Sequence, residues 1–346
     1  MEPSYLRLWE TGAFSERVKK AGNLLAPCRL CPRECRVDRP AGQTGFCQQG
    51  GQARVAKALP HFGEEPPLTG ERGAGTVFFT GCALRCLHCQ NYQISQEGLG
   101  EEVSTVALAD IFLDLQQRGC HNLDLVSPTP HWPFILEALE LAIPRGLRLP
   151  IVYNTHGYVS LELLQCLEGI VDIYLPDMKY GTDESARTLS QVSDYTRHNR
   201  AAVREMVRQV GRLKTDSEGL AFGGVLVRHL ILPEGLAGTS EVLQELLEIS
   251  HRIPLSLMSQ YRPCHRAPDH PSLNRPLTGD EYQRVIEIIE DLGFETVFVQ
   301  ELESAEVYYP DFQQEDPFRR DPAAIPDLGG AYAKGRSVMN KDRSSR

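Results

Sequence analysis

Short apolar runs alternate with amphipathic stretches from about residue 75 to residue 300 of the chain. Apolar runs of about four to eight residues bounded by Gly, Pro and polar residues predict buried strands, whereas apolar residues recurring every three to four positions predict helices. Helical patterns separate the runs, and the first of these helices follows Ser104, a suitable N-terminal cap. The predicted strands are GTVFFTG, NLDLVS, PIVYNT, IVDIYLPD, VLVRHLIL, PLSLMSQ and TVFVQ, in that order.

This alternation of strands and helices predicts a parallel sheet with helices outside it, joined by right-handed connections. Six to seven βα units are recognisable, fewer than the eight of a closed TIM barrel. We therefore expect an α/β fold of the partial, open (β/α)6 TIM-like barrel type, with a doubly wound sheet as the alternative. Active sites in both architectures lie at the carboxyl ends of the strands, so polar residues directly after the strands are the candidates.

The chain changes character on both sides of the alternating region. Residues 4 to about 25 have the pattern of one helix, and residues 28–70 are rich in Gly, Pro and Cys, with little apolar core of their own. From about residue 311 the sequence is polar and aperiodic, which is typical of a weakly ordered tail. The predicted organisation is a helix with a cysteine-rich metal-binding segment, a barrel and a weakly ordered C-terminal tail, over residues 1–70, 71–305 and 306–346.

The composition is that of an ordinary globular protein. Of 346 residues, 41% are apolar and 24% charged, and the formal net charge is −10. A negative protein is poorly suited to nucleic acid, because phosphate contacts need a basic surface. No apolar stretch has the pattern of a signal peptide or the length of a membrane span. We expect a cytoplasmic protein with no membrane partner, whose ten cysteines are metal ligands or free thiols.

Three cysteines stand directly after the first predicted strand of the alternating region. Cys82, Cys86 and Cys89 have the spacing C-x3-C-x2-C. Thiolates select iron–sulfur clusters, zinc or copper(I). A structural zinc site is closed by four ligands, so three thiolates favour a four-iron cluster with one iron left open for a substrate. A zinc site completed by His88 is the alternative.

The segment CALRCLHC resembles the signature of the radical S-adenosylmethionine (radical SAM) superfamily. The resemblance covers roughly residues 28–300 and is closest to the pyruvate formate-lyase activating enzyme-like branch, in the group with an N-terminal four-cysteine segment. It implies that the three cysteines hold a [4Fe-4S] cluster and that SAM is cleaved reductively to a 5′-deoxyadenosyl radical, which abstracts hydrogen from a substrate. The segments that carry the resemblance to this branch are GTVFFTGCALRCLHCQN, YNTHGYVSLELL, VDIYLPDMKY, VRHLILPEGLAGT and MSQYRPCHRA.

The resemblance also implies roles for residues near the first three strands of the barrel. His88 occupies the aromatic position of the signature. Ser127 and Thr129 stand where relatives bind the methionine amino group of SAM with a Gly-rich, Glu-containing motif, which is absent here. Asn154 stands where activating enzymes have an aspartate that helps to hold a cation. Turn formation beside two prolines is the alternative role of Ser127 and Thr129.

Charged residues after the fourth barrel strand and within the fifth complete the implied cofactor site. Asp177-Met178-Lys179 matches an Asp-Leu-Lys motif of relatives, and Lys179 is a suitable partner for the SAM carboxylate. Arg228 matches a strand arginine near SAM, where a guanidinium facing a carboxylate gives a directional, charge-assisted hydrogen bond. A structural ion pair at the end of the sheet is the alternative role of these residues.

A second set of cysteines, with the spacing C-x2-C-x3-C-x11-C, precedes the barrel. Its members are Cys28, Cys31, Cys35 and Cys47. Four cysteines with two short spacings indicate a metal site, either a second iron–sulfur cluster or structural zinc.

The function implied by these patterns is that of a radical SAM oxidoreductase. The branch that it resembles suggests an activating enzyme that installs a glycyl radical on a partner enzyme, with a small molecule or a peptide as alternative substrates. An electron donor such as flavodoxin or ferredoxin is then required. A protein of another class, an iron–sulfur electron carrier that does not cleave SAM, is the remaining alternative.

Overall fold

The computed structural model describes residues 2–300, 302 and 309–318, and the backbone of residues 336–340. By its internal contacts the chain divides into two units. Unit 1 comprises Met1–Arg85, Ile94–Pro176 and Arg197–Leu226, and unit 2 comprises Cys86–Gln93, Asp177–Thr196 and Val227–Arg346. Most of the tail predicted over residues 306–346 lies outside the described residues.

Strands and helices alternate along most of the described chain. The strands are β1 (Ala53–His61), β2 (Ala74–Phe79), β3 (Glu101–Val103), β4 (Leu123–Val126), β5 (Ile151–Thr155), β6 (Ile173–Pro176), β7 (Lys214–Thr215), β8 (Ala221–Val225), β9 (Val227–Leu230), β10 (Leu255–Met258), β11 (Thr296–Gln300) and β12 (Arg336–Asn340). The helices are α1 (Tyr5–Glu10), α2 (Ala13–Gly22), α3 (Pro66–Thr69), α4 (Tyr92–Ser95), α5 (Thr105–Gln117), α6 (Trp132–Ala142), α7 (Leu161–Leu167), α8 (Asp183–Ser190), α9 (Tyr195–Val210), α10 (Thr239–Ile249) and α11 (Gly279–Leu292).

Unit 1 is built on an eight-stranded sheet with the order β3-β1-β2-β4-β5-β6-β8-β7. The five strands from β2 to β8 in this order are mutually parallel, while β1 pairs antiparallel with β2 and β7 pairs antiparallel with β8. Every residue of β2, β4, β5 and β6 is buried. Continuous apolar runs form these strands because the strands of a parallel sheet are covered on both faces.

Unit 2 contains a four-stranded sheet with the order β12-β11-β10-β9. Strands β9, β10 and β11 are parallel, and β12 is antiparallel to β11. The mixed α/β fold with a large, mostly parallel sheet is thus confirmed, whereas the partial barrel stays a prediction. No helix in the described part of the chain is both long and apolar enough to cross a membrane.

Several local predictions are confirmed and others are wrong. The Ser104 hydroxyl accepts a hydrogen bond from the Ala107 N–H at 3.1 Å, so it caps α5 as predicted. The single helix predicted over residues 4–25 is two helices, because Gly12 turns the chain with a φ of +72°. The sequence also predicts a side-chain cap by Thr239 or Ser240 before the helix EVLQELLEIS, and this prediction is wrong, since Gly238 precedes α10 in a left-handed conformation.

Candidate functional site

The three-cysteine segment follows β2 directly, as the sequence predicts. Gly81 begins the turn with a φ of +85°, and its N–H donates to the carbonyl oxygen of Ile94 at 2.9 Å. Cys82 belongs to unit 1, where its Sγ accepts a hydrogen bond from the Leu84 N–H at 3.4 Å. Cys86 and Cys89 belong to unit 2. The first thiol is therefore held by backbone at the carboxyl end of a buried strand, where active sites of parallel sheets lie.

The thiol of Cys86 is embedded in a side-chain hydrogen-bond network of unit 2. Ser190 Oγ donates to Cys86 Sγ at 2.9 Å, and the Tyr180 hydroxyl is hydrogen-bonded to Ser190 in turn. The Leu87 N–H donates to the Leu189 carbonyl at 2.9 Å, which fixes the segment against the end of α8. Hydrogen bonds to cluster sulfurs are one means by which proteins set reduction potentials.

His88 lies between two tyrosines of unit 2. Its ring is edge-on to Tyr180 and Tyr261 at centroid distances of 6.4 and 6.2 Å. Burial, together with the charge of Lys179, lowers the pKa of His88 to about 3, so the ring is neutral at pH 7. Its Nδ1 is buried without a hydrogen-bond partner among the described residues. His88 thus supplies an uncharged aromatic surface, and it lines a cavity with about 270 Å³ of empty volume, including solvent at its mouth.

Asp177, Lys179 and Arg228 form one ion cluster in unit 2, which is the alternative role that the sequence left open for them. Lys179 Nζ lies 2.7 Å from Asp177 Oδ2, and Arg228 Nε lies 3.1 Å from Asp177 Oδ1. Burial acts to raise the pKa of Asp177, but the charges of Lys179 and then Arg228 outweigh it and hold the pKa below its ordinary value. Burial acts to lower the pKa of Lys179, but the Asp177 carboxylate raises it. All three groups are charged at neutral pH.

The predicted contacts of unit 1 with SAM involve residues after β4 and within β5. Ser127 has a φ of +55°, and its N–H donates to the Asn154 carbonyl at 3.0 Å. The Thr129 hydroxyl is buried and hydrogen-bonded to the Tyr153 hydroxyl at 2.8 Å. Asn154 Nδ2 donates to Glu64 Oε1 at 3.4 Å. The contact with Glu64 places a carboxylate beside the Asn154 amide, near the end of β5. The SAM-binding roles of Ser127, Thr129 and Asn154 stay predictions.

The four early cysteines lie together in unit 1. Cys28, Cys31, Cys35 and Cys47 line one cavity with about 400 Å³ of empty volume, which includes solvent at its mouth. Burial raises the pKa of the Cys31 and Cys47 thiols, and the other cysteines of the set add to this rise. In the part of the chain that the structure describes, no group of three or more His, Cys, Asp and Glu side chains converges as a single metal ion would require.

The cysteine-rich segment packs against the loop after β2. A Cβ on Gly81 would lie 2.7 Å from the Cys47 carbonyl oxygen and 2.4 Å from Nε2 of Gln49. Arg33 Nε donates to the Ala83 carbonyl at 3.0 Å, and Ala83 also lines the cavity of the four cysteines. Residues on both sides of Cys82 are therefore in contact with the segment that carries the other cysteine set.

The donor set around Cys86 fits an iron–sulfur cluster. Thiols are the ligands of such clusters, and the Cys86 sulfur is buried and already accepts the kind of hydrogen bond that cluster sulfurs receive. Residues 68–142, which include all three cysteines of the triad, match the family described as 4Fe-4S single cluster domain. The match supports a [4Fe-4S] cluster as the group that this segment binds.

Two proteins of Methanocaldococcus jannaschii are similar to this chain in sequence. The uncharacterized protein MJ0674 is 28% identical over 291 residues, which is 82% of this chain and 80% of that protein. The uncharacterized protein MJ0808 is 27% identical over 180 residues, which is 45% of this chain and 50% of that protein.

Among solved structures, Streptococcus suis SuiB is similar to this chain. SuiB bound to the precursor peptide SuiA aligns with a TM-score of 0.41 and 10% identity, over 61% of this chain and 43% of SuiB. SuiB bound to S-adenosylmethionine aligns with a TM-score of 0.40 and 11% identity, over 61% of this chain and 44% of SuiB. The chain thus spans less than half the length of SuiB.

Proposed function

We propose that this chain is a radical SAM enzyme in which Cys82, Cys86 and Cys89 hold a catalytic [4Fe-4S] cluster. The observation that carries the proposal is the C-x3-C-x2-C triad directly after the buried parallel strand β2, inside the segment that matches a 4Fe-4S domain. Three thiolates leave one iron of such a cluster without a protein ligand. That open iron is the feature that distinguishes a catalytic cluster from one that only carries electrons.

Further proposed roles belong to side chains of unit 2. The bound cluster and SAM would together supply a 5′-deoxyadenosyl radical. Lys179 and Arg228 are proposed to donate to the carboxylate of SAM, and Asp177 orients both cations through its two oxygens. His88, neutral and flanked by tyrosines, is proposed to exclude water from the reacting atoms.

The reaction that we propose is abstraction of a hydrogen atom from a substrate. The resemblance of five sequence segments to activating enzymes makes the backbone glycine of a glycyl radical enzyme the first candidate substrate. A small molecule or a peptide is the alternative, since the Gly-rich, Glu-containing motif of activating enzymes is replaced by Ser127-Pro128-Thr129. Flavodoxin or ferredoxin is proposed as the electron donor.

The proposed function is tested by formation of 5′-deoxyadenosine. The protein is reconstituted anaerobically with iron and sulfide, reduced with dithionite and incubated with SAM. We expect 5′-deoxyadenosine from the wild type and none above background from the Cys82→Ala/Cys86→Ala/Cys89→Ala variant. Cys120→Ala and Cys166→Ala are matched controls, because both thiols are buried and lie outside the two cysteine sets. Both controls should retain wild-type activity.

Two results would contradict the proposal. The first is a wild-type protein that holds a cluster on the triad but forms no 5′-deoxyadenosine with dithionite or flavodoxin. This result would favour the alternative function, an iron–sulfur electron carrier that does not cleave SAM. Equal 5′-deoxyadenosine formation by the triple variant would assign the chemistry to another site.

A further inference from the structure

We propose that Cys28, Cys31, Cys35 and Cys47 bind a second [4Fe-4S] cluster, in the cavity that their thiols line in unit 1. This inference goes beyond the proposed function, because it assigns a metal centre that SAM cleavage at the triad does not require. It rests on the cysteine spacing, the position of all four cysteines at one cavity and the buried charge beside it.

The spacing of the four cysteines follows the pattern of cluster ligands. Cys28, Cys31 and Cys35 fall within eight consecutive residues, and Cys47 follows after eleven intervening residues. Iron–sulfur sites commonly take several cysteines from one short run and the last from a distance. Structural zinc sites more often take their ligands as two separated pairs. Three neighbouring ligands and one remote ligand therefore favour iron and sulfide over zinc.

The four cysteines also come together at one cavity of unit 1. Leu30, Phe46 and Pro130 contribute apolar atoms to its wall, beside the side chains of Arg33, Glu34 and Arg39. In a [4Fe-4S] cluster each of four thiolates binds a different iron, so four cysteines around one cavity match the ligand count of such a cluster.

Arg39 places a buried positive charge at the same cavity. The side chain is fully buried, with Nε donating to the Gly50 carbonyl at 2.9 Å and Nη1 donating to the Pro130 carbonyl at 2.6 Å. Nη2 is buried without a hydrogen-bond partner in the described part of the chain. A buried cation is costly unless a negative group compensates it. A cluster with four thiolate ligands carries net negative charge and would provide that compensation.

Phe46 closes the cavity next to Cys47 and is itself held by two guanidinium groups. Arg33 lies over its ring at 3.6 Å from the centroid, and Arg85 lies at 5.0 Å. Three arginines thus lie at or near the cavity, where Glu34 is the one carboxylate among the lining residues. An excess of positive charge at this site favours an anionic cluster as its occupant.

The test uses the Cys82→Ala/Cys86→Ala/Cys89→Ala variant, which keeps all four proposed ligands of the second site. After anaerobic reconstitution and desalting, iron, sulfide and zinc per chain are measured, and far-UV circular dichroism reports the fold. We expect about four iron and four sulfide per chain in this variant and about eight of each in the wild type. Adding Cys28→Ala/Cys31→Ala should remove the remaining iron, whereas adding Cys120→Ala/Cys166→Ala should leave it unchanged.

The measurement is independent of SAM cleavage, because the triad variant is inactive under the proposed function whether or not it binds iron. One zinc per chain in the triad variant would overturn the inference, as would a folded triad variant with less than about one iron. If the triad variant does not fold, the iron content of the reconstituted wild type tests the inference instead. About eight iron per chain supports the inference, and about four overturns it.

Discussion

At the scale of single residues, Asp177 is the group on which two cations of unit 2 converge. Its carboxylate contacts Lys179 at 2.7 Å and Arg228 at 3.1 Å. Asp177→Asn would leave both largely buried cations without this carboxylate, so we expect the free energy of unfolding to fall by about 3–5 kcal/mol. Urea denaturation under anaerobic conditions measures the change. Asp110→Asn is the matched control, because Asp110 pairs with Arg145 at the surface and contributes about 1 kcal/mol or less.

The effect of Asp177→Asn on the free energy of unfolding depends on pH through the pKa of Asp177. A carboxyl group whose pKa is lowered by folding stabilises the protein above its unfolded pKa of about 3.9, and this contribution is lost as the pH falls through the lower folded value. The difference in unfolding free energy between wild type and Asp177→Asn should therefore be constant between about pH 5 and pH 7 and shrink below about pH 4. A difference that grows on acidification would contradict the ion cluster.

Ser190 is a residue that the sequence did not indicate. It donates to Cys86 Sγ at 2.9 Å across 104 positions of sequence. Ser190→Ala removes a hydrogen bond that stabilises the reduced, more negative cluster, so we expect the reduction potential of the triad cluster to fall by about 30–60 mV. An EPR-monitored redox titration measures the shift. Thr188→Ala, an exposed change on the same helix, should leave the potential unchanged, and equal shifts in both variants would refute the role of Ser190.

At the scale of elements, the sequence predicts those strands whose apolar runs are continuous. All seven predicted strands occur. Five of them, β2, β4, β5, β6 and β10, are buried on both faces, which leaves a continuous apolar run in the sequence. The sequence pattern does not predict strand β1 (Ala53–His61), which lies within the Gly-, Pro- and Cys-rich residues 28–70. It pairs antiparallel with β2, and six of its nine residues are half-buried, so its pattern is mixed. Its pairing with β2 depends on tertiary contacts that no local pattern contains.

The turn between β2 and Cys82 permits a direct test of how closely it is packed. Gly81 has a φ of +85°, and a Cβ there would meet the Cys47 carbonyl oxygen at 2.7 Å. Gly81→Ala should therefore cost more than the roughly 1 kcal/mol of a left-handed alanine alone and should lower iron binding. Gly12→Ala is the matched control, with a φ of +72° and no atom within 4 Å of the added Cβ. Equal losses of unfolding free energy would contradict the close packing.

At the scale of the whole molecule, the sequence indicates the candidate residues of the site, whose ligand roles stay predictions, but not the contacts that support them. The two cysteine sets follow from their spacing, and Asp177, Lys179 and Arg228 follow from their places at the ends of strands or within them. Arg39 was not predicted, since its contact with Pro130 joins residues 91 positions apart. Contacts of this range depend on the completed fold, and a single sequence does not encode them in any local pattern.

Removal of metal should affect one part of the molecule selectively. Residues 23–52, all of which the structure describes, contain no helix or strand and are held by contacts such as the Cys28 N–H to Val37 carbonyl hydrogen bond at 2.9 Å. If a cluster is the main support of this segment, chelation should increase its hydrogen exchange strongly and leave β5 protected. Exchange measured by mass spectrometry checks this, and an unchanged segment 23–52 would contradict a structural role of the metal.

The contact between Cys47 and Gly81 has a consequence for how the chain fills with iron. If both cysteine sets bind clusters as proposed, a cluster at one set would order backbone that the other set uses. The two binding equilibria would then be linked, and each cluster would raise the affinity for the other by the same factor. Under limited iron supply, such positive cooperativity would divide a population into chains that are fully loaded and chains that are empty. Half-loaded molecules, with a reactive centre but no second cluster, would then be the rarest species.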